Sequence, residues 1–247
     1  MDRLIYIAMA GAQATFERQA VTAHNLANLG TTGYKAETVA FRSAPVQGST
    51  LPTRAYAVAA TTGSDLSSGT VQRTGRDLDV AVQGDGFIAV QARDGSEAYT
   101  RDGSFDVDPE GQLQTRGGLA VLGEGGPIVI PPDSSVSIAK DGTISVTTNG
   151  QSATNVTIVG QIKLVNPGAQ DLTKGSDGLF RTRTGSPADS DPNVALVSGS
   201  VESSNVNAVA SMVDMINLAR QFDLQMKMLQ NADGNAQHAT QLLATSP

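Results

Sequence analysis

The run from Asn205 to Leu243 constrains this chain more than any other stretch. Val209, Met212, Met215, Ile216, Ala219, Phe222, Met226 and Leu229 recur there at steps of three and four. Asn207, Ser211, Asp214, Asn217, Gln221 and Gln225 form a polar stripe between them. That spacing predicts one amphipathic helix with a wide apolar face. If continuous, it runs for roughly 58 Å at 1.5 Å per residue. A helix of that length cannot bury its stripe against itself, so whatever covers the stripe largely decides what the chain does. Ser204 or Asn205 is the expected N-cap. Gly234 interrupts the run late, at a cost of about 1 kcal/mol relative to Ala.

A second amphipathic helix is predicted over 3–29, where Ile5, Met9, Ala12, Phe16, Ala20, Ala23, Leu26 and Ala27 follow the same steps. Its face is rich in Ala, which permits close approach of another helix. Gly30 and Gly33 should end it and turn the chain. From 44 to 74 the composition changes. Pro45, Gly48, Pro52, Gly63 and Gly69 punctuate a Ser/Thr/Ala-rich stretch with no sustained period, which reads as a linker or extended arm lying outside a compact domain.

From Leu78 to about Val201 the period becomes two. Leu78, Val80 and Val82 alternate with Asp79, Ala81 and Gln83, and Phe87–Val90 follow Gly84-Asp85-Gly86. Asp94-Gly95, Asp102-Gly103, Asp141-Gly142 and Asn149-Gly150 read as turn pairs with positive φ, and Val136 and Ile138 face Ile144 and Val146 across one of them. Gly168 to Pro192 reads as a polar loop. The expected fold is α+β, with long N- and C-terminal amphipathic helices packed as a coiled-coil-like pair and a central antiparallel all-β domain. The expected segments are 1–34 (N-terminal helix), 35–75 (linker or arm), 76–201 (β domain) and 202–247 (C-terminal helix).

Composition narrows the chemistry. A net charge of −7 without any Lys/Arg cluster argues against a nucleic-acid or anionic-membrane surface. With no Cys, disulfides, thiolate metal sites and thiol nucleophiles are excluded. No apolar run approaches 18 residues, so no transmembrane helix is expected. Asp2 offsets Arg3, which leaves no basic segment ahead of the apolar Leu4–Ala14, and a cleaved signal peptide is not expected. Gly84-Asp85-Gly86-Phe87-Ile88-Ala89 fits the spacing of a dinucleotide-binding turn, but that chemistry needs a helix N-terminus after the glycines, and Phe87–Val90 reads as the strand of a hairpin. Asp106, Asp108 and Glu110 imitate the first half of a calcium loop whose twelfth position is Gly117 rather than Glu. His24 and His238 lack the neighbours of a triad or zinc site and read as surface or packing residues. No catalytic residue, cofactor or metal site is therefore expected.

Four separated motifs carry a resemblance. Ala23-His24-Asn25-Leu26-Ala27-Asn28, with Thr31-Thr32-Gly33-Tyr34-Lys35, is similar to the N-terminal signature of the flagellar basal-body rod and hook family. Thr74-Gly75-Arg76-Asp77-Leu78-Asp79-Val80-Ala81-Val82 and Gly84-Asp85-Gly86-Phe87 resemble its central motif, which Tyr99-Thr100-Arg101-Asp102-Gly103-Ser104-Phe105 continues. Gly199-Ser200-Val201-Glu202-Ser203-Ser204-Asn205-Val206 resembles the entry to its C-terminal helix. The chain departs from the pattern at Thr32, where the family usually has Pro, and at Ala210, where an acidic residue is common.

The resemblance implies a non-enzymatic structural subunit of the (proximal) rod in the periplasm. Such a subunit polymerises helically into the drive shaft that transmits torque and encloses the export channel. The implied partners are the chain itself and other axial proteins, neighbouring rings and the export gate, with no nucleic acid and no membrane insertion. The implied subunit-packing residues are Ile5, Met9, Ala12, Phe16, Ala23, Leu26, Val209, Met212, Ile216, Ala219, Phe222, Met226 and Leu229. The family-motif positions are Asn25, Leu26, Ala27, Asn28, Gly33, Tyr34, Leu78, Gly84, Gly86, Phe87, Ser204 and Asn205. The alternatives are a distal-rod or hook-type axial subunit, or a calcium-binding β module on a helical oligomerisation stalk.

Overall fold

Apolar residues at steps of three and four wind into helices at both ends of the chain, and the period-two stretches between them form strands. The computed structural model describes residues 2–45, 55–148 and 156–244. Helix α1 spans Asp2–Ala27 and α2 spans Ala208–Ala244, running through Gly234 without a break. Asn207 caps α2, its Oδ1 accepting the Ala210 N–H at 3.0 Å. The cap thus falls beyond Ser204 and Asn205, because the Asn205 side chain is engaged elsewhere (below).

The strands, in chain order, are β1 (Glu37–Pro45), β2 (Ala55–Ser64), β3 (Val71–Arg73), β4 (Val80–Gln83), β5 (Phe87–Gln91), β6 (Glu97–Thr100), β7 (Phe105–Val107), β8 (Leu113–Thr115), β9 (Leu122–Gly123), β10 (Gly126–Pro127), β11 (Ser134–Ile138), β12 (Thr143–Thr148), β13 (Val156–Gln161), β14 (Leu164–Val165), β15 (Leu172–Lys174), β16 (Phe180–Thr182), β17 (Ala195–Ser198) and β18 (Ser200–Glu202). Every pairing among them is antiparallel.

The chain forms two compact units. Residues 1–27, 37–65 and 206–247 make a helical unit, and 28–36 with 66–205 make a β unit. In the helical unit α1 packs against α2 and against the β1–β2 hairpin. In the β unit the main sheet runs β14-β5-β6-β16-β15, a second sheet runs β11-β12-β13, and β17–β4, β18–β3, β7–β8 and β9–β10 are two-stranded. The core lies among them. Val80, Val82, Ile88, Val90, Phe105, Leu113, Val121, Ile144 and Ile162 are fully or almost fully buried. The expected cross-strand pairs occur as Val136 with Val146 and Ile138 with Ile144. Gly95 (φ 82°) and Gly142 (φ 84°) turn the hairpins after Asp94 and Asp141.

Several local expectations are corrected. The stretch 35–75, expected as a linker or extended arm, holds β1, β2 and β3. Apart from Val39 and Phe41 in β1 and Tyr56 and Val58 in β2, the first two strands are largely Ala, Thr and Ser, which pair through their backbones and leave only a short apolar alternation for a sequence reading to detect. The supposed loop 168–192 contains β15 and β16, whose Leu172 and Phe180 are buried. Asp102-Gly103 is not a positive-φ turn. A Cβ on Gly103 would lie 1.9 Å from the Val80 carbonyl oxygen, so this glycine serves close backbone approach. Gly84-Asp85-Gly86 joins β4 and β5, which belong to different sheets, and Phe87–Val90 is the hairpin strand expected, β5 pairing with β6 across Asp94-Gly95. A strand thus follows the glycines, with no helix terminus to receive a phosphate. The Asn149-Gly150 pair lies outside the described residues.

Candidate functional site: two helix surfaces and a buried ion cluster

On α2, Ala208, Ser211, Met215, Leu218, Phe222, Gln225, Leu229 and Ala232 are buried or half-buried, at alternating steps of three and four. Leu218 retains 4% of its surface. The matching row on α1 is Ile5, Ala8, Ala12, Thr15, Gln19, Thr22 and Leu26. Small residues let the helices approach closely. A Cβ on Gly11 would stand 2.9 Å from Gln225 Nε2.

The residues picked out as one wide stripe therefore divide between two faces. Met215, Phe222 and Leu229 turn inward with Leu218. Val209 (72% exposed), Met212, Val213 and Ile216 (54%) point outward, as do Ala219, Leu224 and Met226. On α1, Ile5, Ala12 and Leu26 turn inward, whereas Met9, Phe16 (63%), Ala20 and Ala23 are exposed. A groove of about 530 Å³ runs along α1 beside β2, lined by Tyr6, Met9, Ala10, Gln13, Ala14, Glu17, Ala57 and Val58. Ala8, Thr15, Leu218 and Gln225 complete the inner rows and were not singled out by apolar character. Their signal is the strict three–four alternation, which includes polar members.

The motif residues have identifiable work. Asn25, in the last turn of α1, donates from Nδ2 to the Glu37 carbonyl and accepts the Glu37 N–H at Oδ1, both at 2.8 Å. One amide side chain thus pins the start of β1. His24 Nδ1 lies 3.3 Å from Glu37 Oε2, but its side chain is more than half exposed, so the pair contributes little. Asn28 accepts from Thr31 through its carbonyl and its side chain, closing the turn after Leu26 and Ala27. Leu78 packs on the β core, and a Cβ on Gly86 would fall 2.7 Å from Val194.

The remaining motif residues converge, inside the β unit, on a group of charges. Lys35 and Glu202 are each 1% exposed, and Lys35 Nζ donates to Glu202 Oε1 at 2.7 Å. Arg101 NH1 donates to Glu202 Oε2 at 2.9 Å and NH2 to the Gly84 carbonyl at 2.8 Å, with the guanidinium 5.3 Å from the Phe87 ring centroid. The same carboxylate accepts the Gly69 N–H at 2.7 Å, and the Glu202 carbonyl accepts the Gly33 N–H at 2.7 Å. Gly33 has φ 67°, and a Cβ there would stand 2.2 Å from the Arg101 carbonyl carbon, so only glycine fits. Lys35 Nζ also donates to the Ser67 carbonyl. Asn205 Oδ1 accepts the Ala36 N–H at 2.8 Å while its Nδ2 donates to Ser67, and its N–H donates to the Tyr34 carbonyl. Lys174 stands 4.0 Å from the Tyr34 ring centroid and donates to the Lys35 carbonyl. Ser204 is half-buried alongside.

Burial pushes the Glu202 carboxyl up, but the Lys35 hydrogen bond, the Gly69 N–H and the charges of Arg101 and Lys35 outweigh it and hold the group below the ordinary Glu value. Lys35, Arg101 and Glu202 stood inside the motifs without being marked as a site. Nothing in their local sequence distinguishes them from surface charges, Arg101 for example standing beside Asp102.

Among the described residues no group of three or more His, Asp or Glu is placed to hold a metal ion. Asp106 and Asp108 lie on and beside the β7–β8 hairpin, where Asp108 Oδ1 accepts the Gln112 N–H. No described helix is long and apolar enough to cross a membrane.

Comparison with known proteins agrees with the placement of the motifs. Three family models match: "Flagella basal body rod protein" over residues 5–35, "Flagellar hook protein FlgE/F/G D1 domain" over 81–146, and "Flagellar basal body rod FlgEFG protein C-terminal" over 197–242. The chain is 48% identical to the flagellar basal-body rod protein FlgF of Escherichia coli (strain K12) and 45% identical to FlgF of Salmonella typhimurium, with the whole of each chain covered. It is 33% identical to the rod protein FlgG of Buchnera aphidicola from Schizaphis graminum, over 96% of this chain and 98% of that one. A full-length match to FlgF proteins, joined to three family models in the right order, means that the chain belongs to the family of flagellar basal-body rod proteins.

Proposed function

We propose that this chain is a structural subunit of the proximal flagellar rod. In this reading it polymerises helically with copies of itself and with other axial proteins, in the periplasm, to form a torque-transmitting shaft around an export channel. The terminal helices pair as a coiled-coil-like rod element, for which the alternating three–four rows of α1 and α2 are the spacing required. The 76–201 stretch supplies most of the β unit.

The observation that carries this reading is the outward apolar face of α2. Val209, Met212, Val213 and Ile216 are all more than half exposed although the helix already has a partner on its other face. Large contiguous apolar surface on a subunit marks an interaction site. The exposed face of α2 and the groove beside β2 are different patches. A contact between unlike patches is head-to-tail, and when its rotation does not close a ring it builds a helix.

The test is Ile216→Asp. The side chain is exposed in the single subunit, so the substitution should leave the fold within about 0.5 kcal/mol of wild type, while in a polymer it would bury an unpaired charge. Basal bodies purified from cells carrying only the variant should lack a complete rod, with the isolated protein retaining its helix signal. Full-length rods containing the variant would refute the reading.

A further inference from the structure

The chain passes between its two units four times, at 27/28, 36/37, 65/66 and 205/206. Every one of these passages is fastened, on the β-unit side, by the group of bonds around Glu202. Gly33 and Lys35 hold the first, and Ala36, through Asn205 Oδ1, holds the second. Ser67 and Gly69 hold the third, and Glu202 and Asn205 themselves hold the fourth.

We propose that the Lys35–Glu202–Arg101 cluster is a mechanical clasp. It gathers all four strands of the connection at one buried carboxylate, so that load reaching the β unit through any of them is borne there in common. Without it, load would peel β3 and β18, each three residues long, from the rest of the unit. Two features fit a clasp better than an ordinary core contact. The bonds join residues far apart in the chain, with Lys35 and Glu202 separated by 167 positions and Arg101 and Glu202 by 101. Such contacts close large loops, whose entropic cost must be met before they can form, and in a clasp they form after the folding transition state. The charges are also fully desolvated, and Arg101 Nε has no hydrogen-bond partner among the described residues. A buried ion cluster adds little net equilibrium stability over apolar packing, yet losing one partner strands the other charges in a dry site. Interactions that form after the folding transition state act mainly on the unfolding rate, and that rate governs resistance to force.

The inference rests on the rod reading only for the origin of the load. Its test uses the isolated full-length chain, so it can fail while the rod reading stands, and the reverse. Handles on the two chain ends allow single-molecule pulling, and denaturant jumps on the same protein give folding and unfolding rates. In Glu202→Gln the β unit should unfold at least on the order of a hundredfold faster, with a refolding rate within threefold of wild type. Asn205→Ala, which strands no charge, should speed unfolding several-fold in the same direction and keeps the test open if the first variant does not fold. Leu113→Ala, in the centre of the β core, serves as the comparison, because an equal loss of equilibrium stability there should lower the rupture force less. Unfolding rates within threefold of wild type in the clasp variants, a matching loss of refolding rate, or a rupture force no lower than in Leu113→Ala would overturn the proposal.

Discussion

Glu202 is the residue on which the most structure depends, and its titration gives a direct check. Its carboxyl is held below the ordinary Glu value of 4.5, with burial opposing and the Lys35 bond, the Gly69 N–H and the two cations prevailing. A depressed acid contributes stability that is present above the unfolded value and is lost as pH falls through the folded one. Wild type should therefore exceed Glu202→Gln by about 3–5 kcal/mol at pH 7. The difference should shrink steadily below about pH 4.5. Burial raises the Asp102 carboxyl, giving the opposite slope, but that contribution is common to both proteins and cancels in the comparison. Urea titrations of the two proteins between pH 7 and 3 measure the difference directly, and a constant gap across that range would exclude the ionised pair. Gly33 illustrates a second kind of residue-scale necessity. Its positive φ and its contact with the Arg101 backbone leave no room for a side chain, so Gly33→Ala should cost more than about 1 kcal/mol, read as a lowered urea midpoint.

At the scale of elements, the helices were legible and their division of labour was not. Apolar residues at three and four steps give a helix its stripe, and that pattern is local, so 3–29 and 205–243 could be read directly against α1 (Asp2–Ala27) and α2 (Ala208–Ala244). Which part of a wide stripe faces the partner depends on close approach, and here the small residues Ala8, Gly11, Ala12 and Thr15 set it. The outcome separates two substitutions that look equivalent in sequence. Phe222→Asp places a charge on the inner row and should reduce the helix signal of the isolated protein, while Ile216→Asp should not. Circular dichroism of the two purified variants checks this, and equal losses would mean that the two faces are not distinct. The β1–β2 hairpin was least visible, because its apolar alternation is confined to Val39 and Phe41 in β1 and Tyr56 and Val58 in β2, while backbone pairing and Asn25 order the rest.

The whole molecule has two cores of unequal quality. The β unit buries large apolar side chains such as Phe105, Leu113 and Ile144. The seam of the helical unit includes Thr15, Gln19, Thr22, Ser211 and Gln225, which bury little apolar area. Heating the isolated protein should therefore give two calorimetric steps, with the helix signal lost in the first; in a Tyr6→Phe, Tyr56→Phe variant the remaining tyrosine signal, from Tyr34 and Tyr99 of the β unit, should change only in the second. One coincident transition would show the units to be a single cooperative body. A subunit whose helices are completed by neighbours would gain stability on assembly by mass action. The sequence by itself determined the α+β class, the helix positions, the hairpins at Asp94-Gly95 and Asp141-Gly142, and the motifs, because periodicity and turn chemistry act over two to four residues. Only the tertiary structure decided that Lys35, Arg101 and Glu202 share one buried site, that Asn25 pins β1, and that α2 presents a second apolar face. Those facts depend on loop closures across as many as 167 positions. No local rule spans such a distance, and the chain must fold before the charges meet.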